Sequence, residues 1–466
     1  MTTAVDATPK ITGPSWSFSH GALRVSDDKR SLVHEDGTAF IWLGGTAWEL
    51  FHRLTLEEAG TYLENRRAKG YTVVQAVALA ECDGVTEPTP DGLLPFVDAD
   101  PSRPVEEYWQ HVDAVVRLAE GKGIYVGMLP TWGRYWADSQ VRIFTEESAY
   151  AYGRFIGGRY AASPNIIWIL GGDRRPVSRV HFELVRQMAR GVRAGDTGHH
   201  LVTYHPRGGS SSSQYHHAED WLDFNMMQTG HGEKDAACYD LISLDYNLLP
   251  MKPTLDGEPR YENHPARGLG WKKGIDVVPE EQWFDAYDVR QAAYWDLFAG
   301  AFGHTYGCHD IWQMLTPAHT PRGKARGTWQ ESLDLPGAQQ MLYVRNLVVS
   351  RPMLGRVPCP DLVAGDAGKG ADHKEATLGP DGSYAFVYLP SGGAVDVDCS
   401  LLSGEAVRAC WYDPRTGLAT RVESPFARST HTFTAPGEHE RGNDWVLVLD
   451  DTAREFVAPG SVSHPT

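Results

Sequence analysis

From about residue 40 the chain alternates short apolar runs with longer amphipathic segments, and the beat continues for about 300 residues. The apolar runs lie at 41–48, 72–78, 124–129, 165–170, 201–204, 223–227, 253–256 and 304–308, each short and rich in Val, Ile, Leu or aromatic residues. Between them, helical periodicity marks 55–70, 105–120, 146–160, 179–194, 284–301 and 337–349. The first of these opens on a capping box, Thr55 to Glu58, and stops at Gly70, a residue suited to the left-handed position after a helix. Eight strand-like runs, most followed by a helix, predict a parallel α/β fold, and the count favours a (β/α)₈ TIM barrel over an open doubly wound sheet. No GxGxxG or P-loop follows the first strand, which weakens a nucleotide-binding alternative.

Past Arg351-Pro352 the pattern changes. Runs at 385–389, 394–399, 406–412 and 445–449 alternate with Gly/Pro/Asp turns such as GPDG (379–382) and DPRTG (413–417), and no long amphipathic helix appears. This predicts a small all-β sandwich at 352–466 behind a catalytic-sized barrel at 40–351, with 1–39 as a lead-in segment packing against either.

Composition sharpens the class. With 466 residues, 42 % of them hydrophobic and 22 % charged, the chain can bury a large core and divides naturally into two domains. The formal charge of −17 has no basic patches to offer and argues against nucleic acid or an anionic membrane as partner. No stretch approaches the roughly 20 apolar residues of a membrane span. The N-terminus lacks the basic region and apolar run of a signal peptide, so a cytoplasmic location is expected. Six scattered cysteines without a CxxC pair fit free thiols rather than a zinc site or a disulfide framework. Fifteen Trp and twenty Tyr are many; most fill cores, but rings in loops could pave a sugar site.

Two of the strand-like runs end in a carboxylate beside glycine. The tip of a parallel barrel strand is where such enzymes carry their chemistry. On the barrel reading, Asp173 follows the fourth strand through Gly171-Gly172, and Glu258 follows the seventh after Asp256-Gly257. Paired carboxylates at one barrel mouth are what glycoside hydrolysis requires, one as general acid/base and one as nucleophile. Each has a plainer reading: Asp173 could cap a helix or pair with Arg174 or Arg175, and GEP could be a simple turn. Other candidates at strand ends are Trp48, Gln75, Trp132, His205, Gln228, His231, His309 and Trp312, with Asp310 beside them. The three histidines could suggest a metal, but the first strand lacks the HxH of metal-dependent hydrolase barrels, so neither a metal nor a cofactor is expected.

The set GTAW (45–48), IIWILGGD (166–173), TYHP (203–206), DFNMMQTGH (223–231), KPTLDGEPRYE (252–262) and GHTYG (303–307) resembles the apiosidase-like family, glycoside hydrolase family 140 and its relatives. The similarity runs from about residue 20 to 350, and the β tail resembles the collagen-binding-like domain often attached to such barrels. The resemblance implies a retaining glycosidase of a furanoside, apiose-type branched pentose favoured, without cofactor. It places the catalytic acid/base at Asp173 and the nucleophile at Glu258, with Glu262 as the rival and, on the preferred assignment, a residue that orients the substrate or supports the side chains that touch it. The expected partner is therefore a carbohydrate or glycoside. A glycosidase of another furanose or pyranose, and a non-catalytic sugar-binding barrel, stay open, and the oligomeric state is not legible.

Overall fold

The computed structural model describes residues 13–461 apart from Pro14 and Ser424; the first part of the lead-in segment, residues 1–12, lies outside the described residues. Eight parallel strands form the barrel: Trp42–Thr46, Val73–Val77, Tyr125–Leu129, Ile166–Gly171, Val202–His205, Asn225–Gln228, Thr254–Asp256 and Gly303–Cys308. They pair in the order five-four-three-two-one-eight-seven-six. Every predicted run contains its strand to within two residues, because each is bounded by polar or glycine positions and buried on both faces. The capping box forms as read: Thr55 Oγ1 accepts from the Glu58 N–H, and Glu58 Oε2 accepts from the Thr55 N–H at 2.9 Å, opening the helix Leu56–Ala68.

The barrel is nearly rather than fully closed. Strands five and six do not form a ladder; instead the two-residue strand Ser210–Ser211 pairs antiparallel with the sixth. The seam is bridged by side chains, with Thr203 Oγ1 donating to the Phe224 carbonyl at 2.7 Å and the Val202 N–H donating to Asp223 Oδ2 at 2.7 Å. The backbone groups a ladder would have satisfied thus find other partners.

The lead-in forms a three-stranded antiparallel sheet, Leu23–Val25, Leu32–His34 and Ala39–Phe40. Phe18 and Phe40 set their rings edge-on to Tyr125, at the start of the third strand and so at the end of the barrel away from the carboxylates.

The C-terminal domain is an antiparallel seven-stranded sheet faced by one two-stranded ribbon, Ala394–Asp398 with Thr430–Thr434. It is a more lopsided pair of layers than the predicted sandwich. The strand alternation explains the asymmetry. Ala385, Val387, Leu389, Ala409, Leu447 and Leu449 point to the ribbon and make a core of their own. The intervening Tyr384, Phe386, Tyr388, Tyr412, Val446 and Val448 point the other way and join the barrel core. The sheet uses the barrel as its second layer: Phe386 stacks on Phe298 at 5.6 Å and Tyr388 on Tyr294 at 4.9 Å.

A buried ion pair crosses this interface. Arg290 Nε and Nη2 donate to the two oxygens of Asp444 at 2.8 and 2.6 Å, both side chains almost wholly inaccessible. Removing one partner strands the other charge, so Asp444→Ala is expected to cost about 3–5 kcal/mol. Urea unfolding would check it, and a variant unfolding at the wild-type midpoint would show that the pair does not hold the domains.

Candidate active site

The fourth and seventh strand tips meet at one histidine. The Asp173 N–H donates to His205 Nδ1 at 3.3 Å, which leaves the ring proton on Nε2, and His205 Nε2 lies 2.9 Å from Glu258 Oε2. That second contact lies off the N–H direction, so it acts as a close charge contact rather than a well-aligned hydrogen bond. Glu258 Oε1 accepts from His231 Nε2 at 3.0 Å.

Local backbone explains why these side chains converge. Gly171 and Gly172 both have φ near +96°, and Asp173 follows at φ +54°, a left-handed conformation uncommon for a residue with a side chain. A Cβ at Gly171 would sit 2.3 Å from the His205 carbonyl oxygen, and one at Gly172 would sit 2.7 Å from the Gly133 nitrogen. Only paired glycines let the chain turn hard enough to aim Asp173 into the mouth. Across the barrel, Asp256 is wholly buried, and its Oδ1 accepts the Glu258 N–H at 3.1 Å while Oδ2 takes the Thr229 hydroxyl. Burial pushes the Asp256 carboxyl well above its ordinary range, as suits a structural acid that fixes the turn. Gln75, inside the second strand, reaches across the barrel to donate to the Gly257 carbonyl at 2.7 Å. Its place in a valine-rich run is thereby explained: it clamps the turn that carries Glu258.

The two carboxyls ionise differently. Burial opposes ionisation of Glu258, but the His205 and His231 contacts outweigh it and hold the group at about 2. Asp173 is raised above the usual carboxylate range, first by burial and then by the negative charge of Glu258, with Arg174 and the two histidines opposing. Its side chain is nonetheless 34 % exposed, so it lies open at the mouth, and Arg174 Nη1 donates to its Oδ2 at 3.1 Å.

Aromatic rings floor the same spot. Trp48 lies 5.3 Å from Trp132 and 5.3 Å from His205, edge-on to the latter. Gln228 is buried at the end of the sixth strand, its Oε1 without a protein partner. His309 and Trp312 stand farther off. Trp312 Nε1 donates to His309 Nδ1 at 3.1 Å and His309 Nε2 donates to the Gly323 carbonyl at 3.0 Å, so both rings are spent on structure. His309 is linked to His231, the Glu258 partner, through His264: the His309 and His264 rings meet edge-on with centroids 4.2 Å apart, and those of His264 and His231 lie 4.4 Å apart.

Glu262 is not brought to the pair. It belongs to the two-residue strand Tyr261–Glu262 beside the eighth strand, and it accepts from the Tyr306 hydroxyl at 2.6 Å and the Gly337 N–H at 3.1 Å. Burial raises it to about 7. Period two decides this: Tyr261 faces His231, at 4.2 Å between centroids, so its neighbour Glu262 turns away towards the helix Pro336–Val349. Sequence reasoning missed Tyr261 and His264; the signal available was a Tyr and a His inside the loop after a carboxylate-tipped strand. Among the described residues no group of three or more His, Cys, Asp or Glu side chains is arranged to hold a metal ion.

A family model described as "Apiosidase-like, catalytic domain" matches residues 26–355, and one described as "Putative collagen-binding domain of a collagenase" matches residues 357–450. A solved glycoside hydrolase is 34 % identical, covers 95 % of this chain and 99 % of its own, and superposes with a TM-score of 0.86. A glycoside hydrolase family 5 structure from Bacteroides vulgatus is also 34 % identical, covering 96 % of this chain and 97 % of its own at a TM-score of 0.87. Comparison with curated proteins finds no match.

Proposed function

The chain belongs to the apiosidase-like family, it is a glycoside hydrolase, and from that premise we propose that it cleaves a furanosidic bond with retention, using Asp173 and Glu258. The observation that carries this reading is the opposite displacement of the two carboxyls, one held ionised and the other raised above the ordinary carboxylate range, at facing strand tips joined through His205. Glu258, as carboxylate, attacks the anomeric carbon while the bond to the leaving oxygen breaks and Asp173 gives that oxygen its proton. Asp173 then takes a proton from water, which attacks the same carbon and releases Glu258. His205 and His231 keep the nucleophile charged and oriented. Trp48 and Trp132 pack on His205 and give the site an apolar floor, and Gln228 offers an unpaired acceptor for a hydroxyl.

An apiose-type branched pentofuranose is the favoured sugar, on family membership. The test is the anomer released first. Proton NMR of 4-nitrophenyl β-D-apiofuranoside hydrolysis should show the configuration of the substrate before mutarotation. The inverted anomer would overturn the retaining mechanism, and turnover of a panel of other furanosides and pyranosides in preference would overturn the sugar assignment.

A further inference from the structure

Glu49, Asp83 and Asp138, acidic side chains in the loops beside Asp173, are paired. Glu49 accepts from the Cys82 N–H at 2.8 Å and from His52 Nδ1 at 2.7 Å. Asp83 is bound by Arg134 at 2.8 Å and Arg322 at 3.1 Å, and Asp138 faces Arg174 at 3.4 Å. Glu81, in the loop after the second strand, differs from these.

Its backbone is well fixed. The Glu81 carbonyl accepts from Arg134 Nη1 at 3.1 Å and from the Asp83 N–H at 2.8 Å, and the Ala80 carbonyl beside it accepts from the Tyr135 hydroxyl at 3.1 Å. Its carboxyl has no hydrogen bond or ion pair among the described residues, though it is only partly exposed and stands within the fields of Asp173, Glu49, Arg322 and Arg174. A loop this firmly held keeps the half-buried, unpaired group where it is. The adjoining residues, Cys82 and Asp83, begin the wall of a cleft of about 800 Å³ that also takes in Arg53, His319 and Arg322. Glu81 thus adjoins a polar cleft large enough for a small glycan, and on its other side its carbonyl is held by Arg134, next to Gly133, whose N–H donates to the Gly172 carbonyl beside Asp173 at 2.9 Å.

We propose that Glu81 is a substrate-binding carboxyl, taking hydroxyl groups of the bound glycoside where it leaves the catalytic pair for the adjoining cleft. This rests on the reading of Asp173 and Glu258 as the reacting pair. Burial, with the charges of Asp173 and Glu49, lifts the Glu81 carboxyl to about 8, so near neutral pH it can donate one hydrogen bond as well as accept. A glutamine at this position could do the same, an alanine could not.

The experiment compares Glu81→Ala and Glu81→Gln with wild type on 4-nitrophenyl β-D-apiofuranoside and on an apiosyl disaccharide, with thermal unfolding as the check on folding. Expected are a KM at least tenfold higher in Glu81→Ala with kcat within about threefold, the larger effect on the disaccharide, and recovery of most of the affinity in Glu81→Gln. The loss corresponds to about 1.4 kcal/mol per factor of ten. Binding of the disaccharide to the Asp173→Asn protein and to its Glu81→Ala double variant, by calorimetry, reads the same contact without turnover. Unchanged KM and unchanged affinity in Glu81→Ala would overturn the proposal, as would a loss confined to kcat. A fully active Asp173→Asn protein would overturn the catalytic pair, a result separate from any change in KM at Glu81.

Discussion

Replacing Glu258 with Gln is expected to lower kcat/KM on the order of 10⁴-fold or more, with KM changed only a few-fold. The side chain keeps its volume and one oxygen for His231, so the loop should hold. What disappears is the charge that, on the proposed mechanism, attacks the anomeric carbon. Nothing nearby can replace it: Asp256 is bound to the Thr229 hydroxyl and the Glu258 N–H, and Glu262 faces the helix behind the barrel. Because His205 and His231 hold Glu258 at about 2, wild-type activity should show no acid limb from this group above about pH 3. Steady-state kinetics on an activated aryl glycoside give the rate. In a Glu258→Gly variant, sodium azide should form a glycosyl azide of inverted configuration, the anion attacking from the vacated side. A loss below about 100-fold, or no azide product, would remove Glu258 from the nucleophile's role. Glu262→Gln serves as the contrast, since its carboxyl touches only Tyr306 and Gly337 and its loss should lower stability more than rate.

Much of this arrangement was legible in the chain, and the parts that were not have physical reasons. Strand runs were visible because barrel strands are apolar on both faces and end abruptly at glycine or polar residues. Glycine beside an acid marked both tips, and the left-handed turn at Gly171, Gly172 and Asp173 shows why the pair was needed at the fourth. Placing Glu262 at the mouth failed because a strand alternates: Tyr261 and Glu262 cannot both face the site, and the run at 252–262 does not say where the chain re-enters a ladder. Gln75 was visible as a polar residue in an apolar run, but its partner, the Gly257 carbonyl on another strand, is a tertiary fact. The open seam between strands five and six was hidden for the same reason. So was the second use of the β domain's sheet, whose alternation is plain in the chain while the identity of the surface it covers is not. Glu81 was one acid among sixty, and only the pairing of its neighbours sets it apart.

Asp173→Ala is expected to separate the two halves of the reaction. General acid catalysis typically contributes on the order of 10²–10⁴-fold, so hydrolysis of a glycoside with a poor leaving group should fall by that factor. With 4-nitrophenol as leaving group little protonation is needed, and the first step should survive while the second, lacking a base for water, becomes limiting. KM would then fall along with kcat as the glycosyl-enzyme accumulates. Azide needs no base, so it should restore turnover and yield a glycosyl azide of retained configuration, the opposite outcome to that at position 258. The pH profile supplies an independent sign. Burial and the charge of Glu258 raise Asp173, so the protonated, active form persists above the ordinary carboxylate range and kcat/KM declines as pH rises through the raised value. In Asp173→Ala that alkaline limb should vanish. Arg174 pulls the other way through its 3.1 Å contact, so Arg174→Gln should move the limb to higher pH. If the limb stays in Asp173→Ala, or azide fails to restore the rate, another group carries the proton and the pairing of the two strand tips is not the catalytic one.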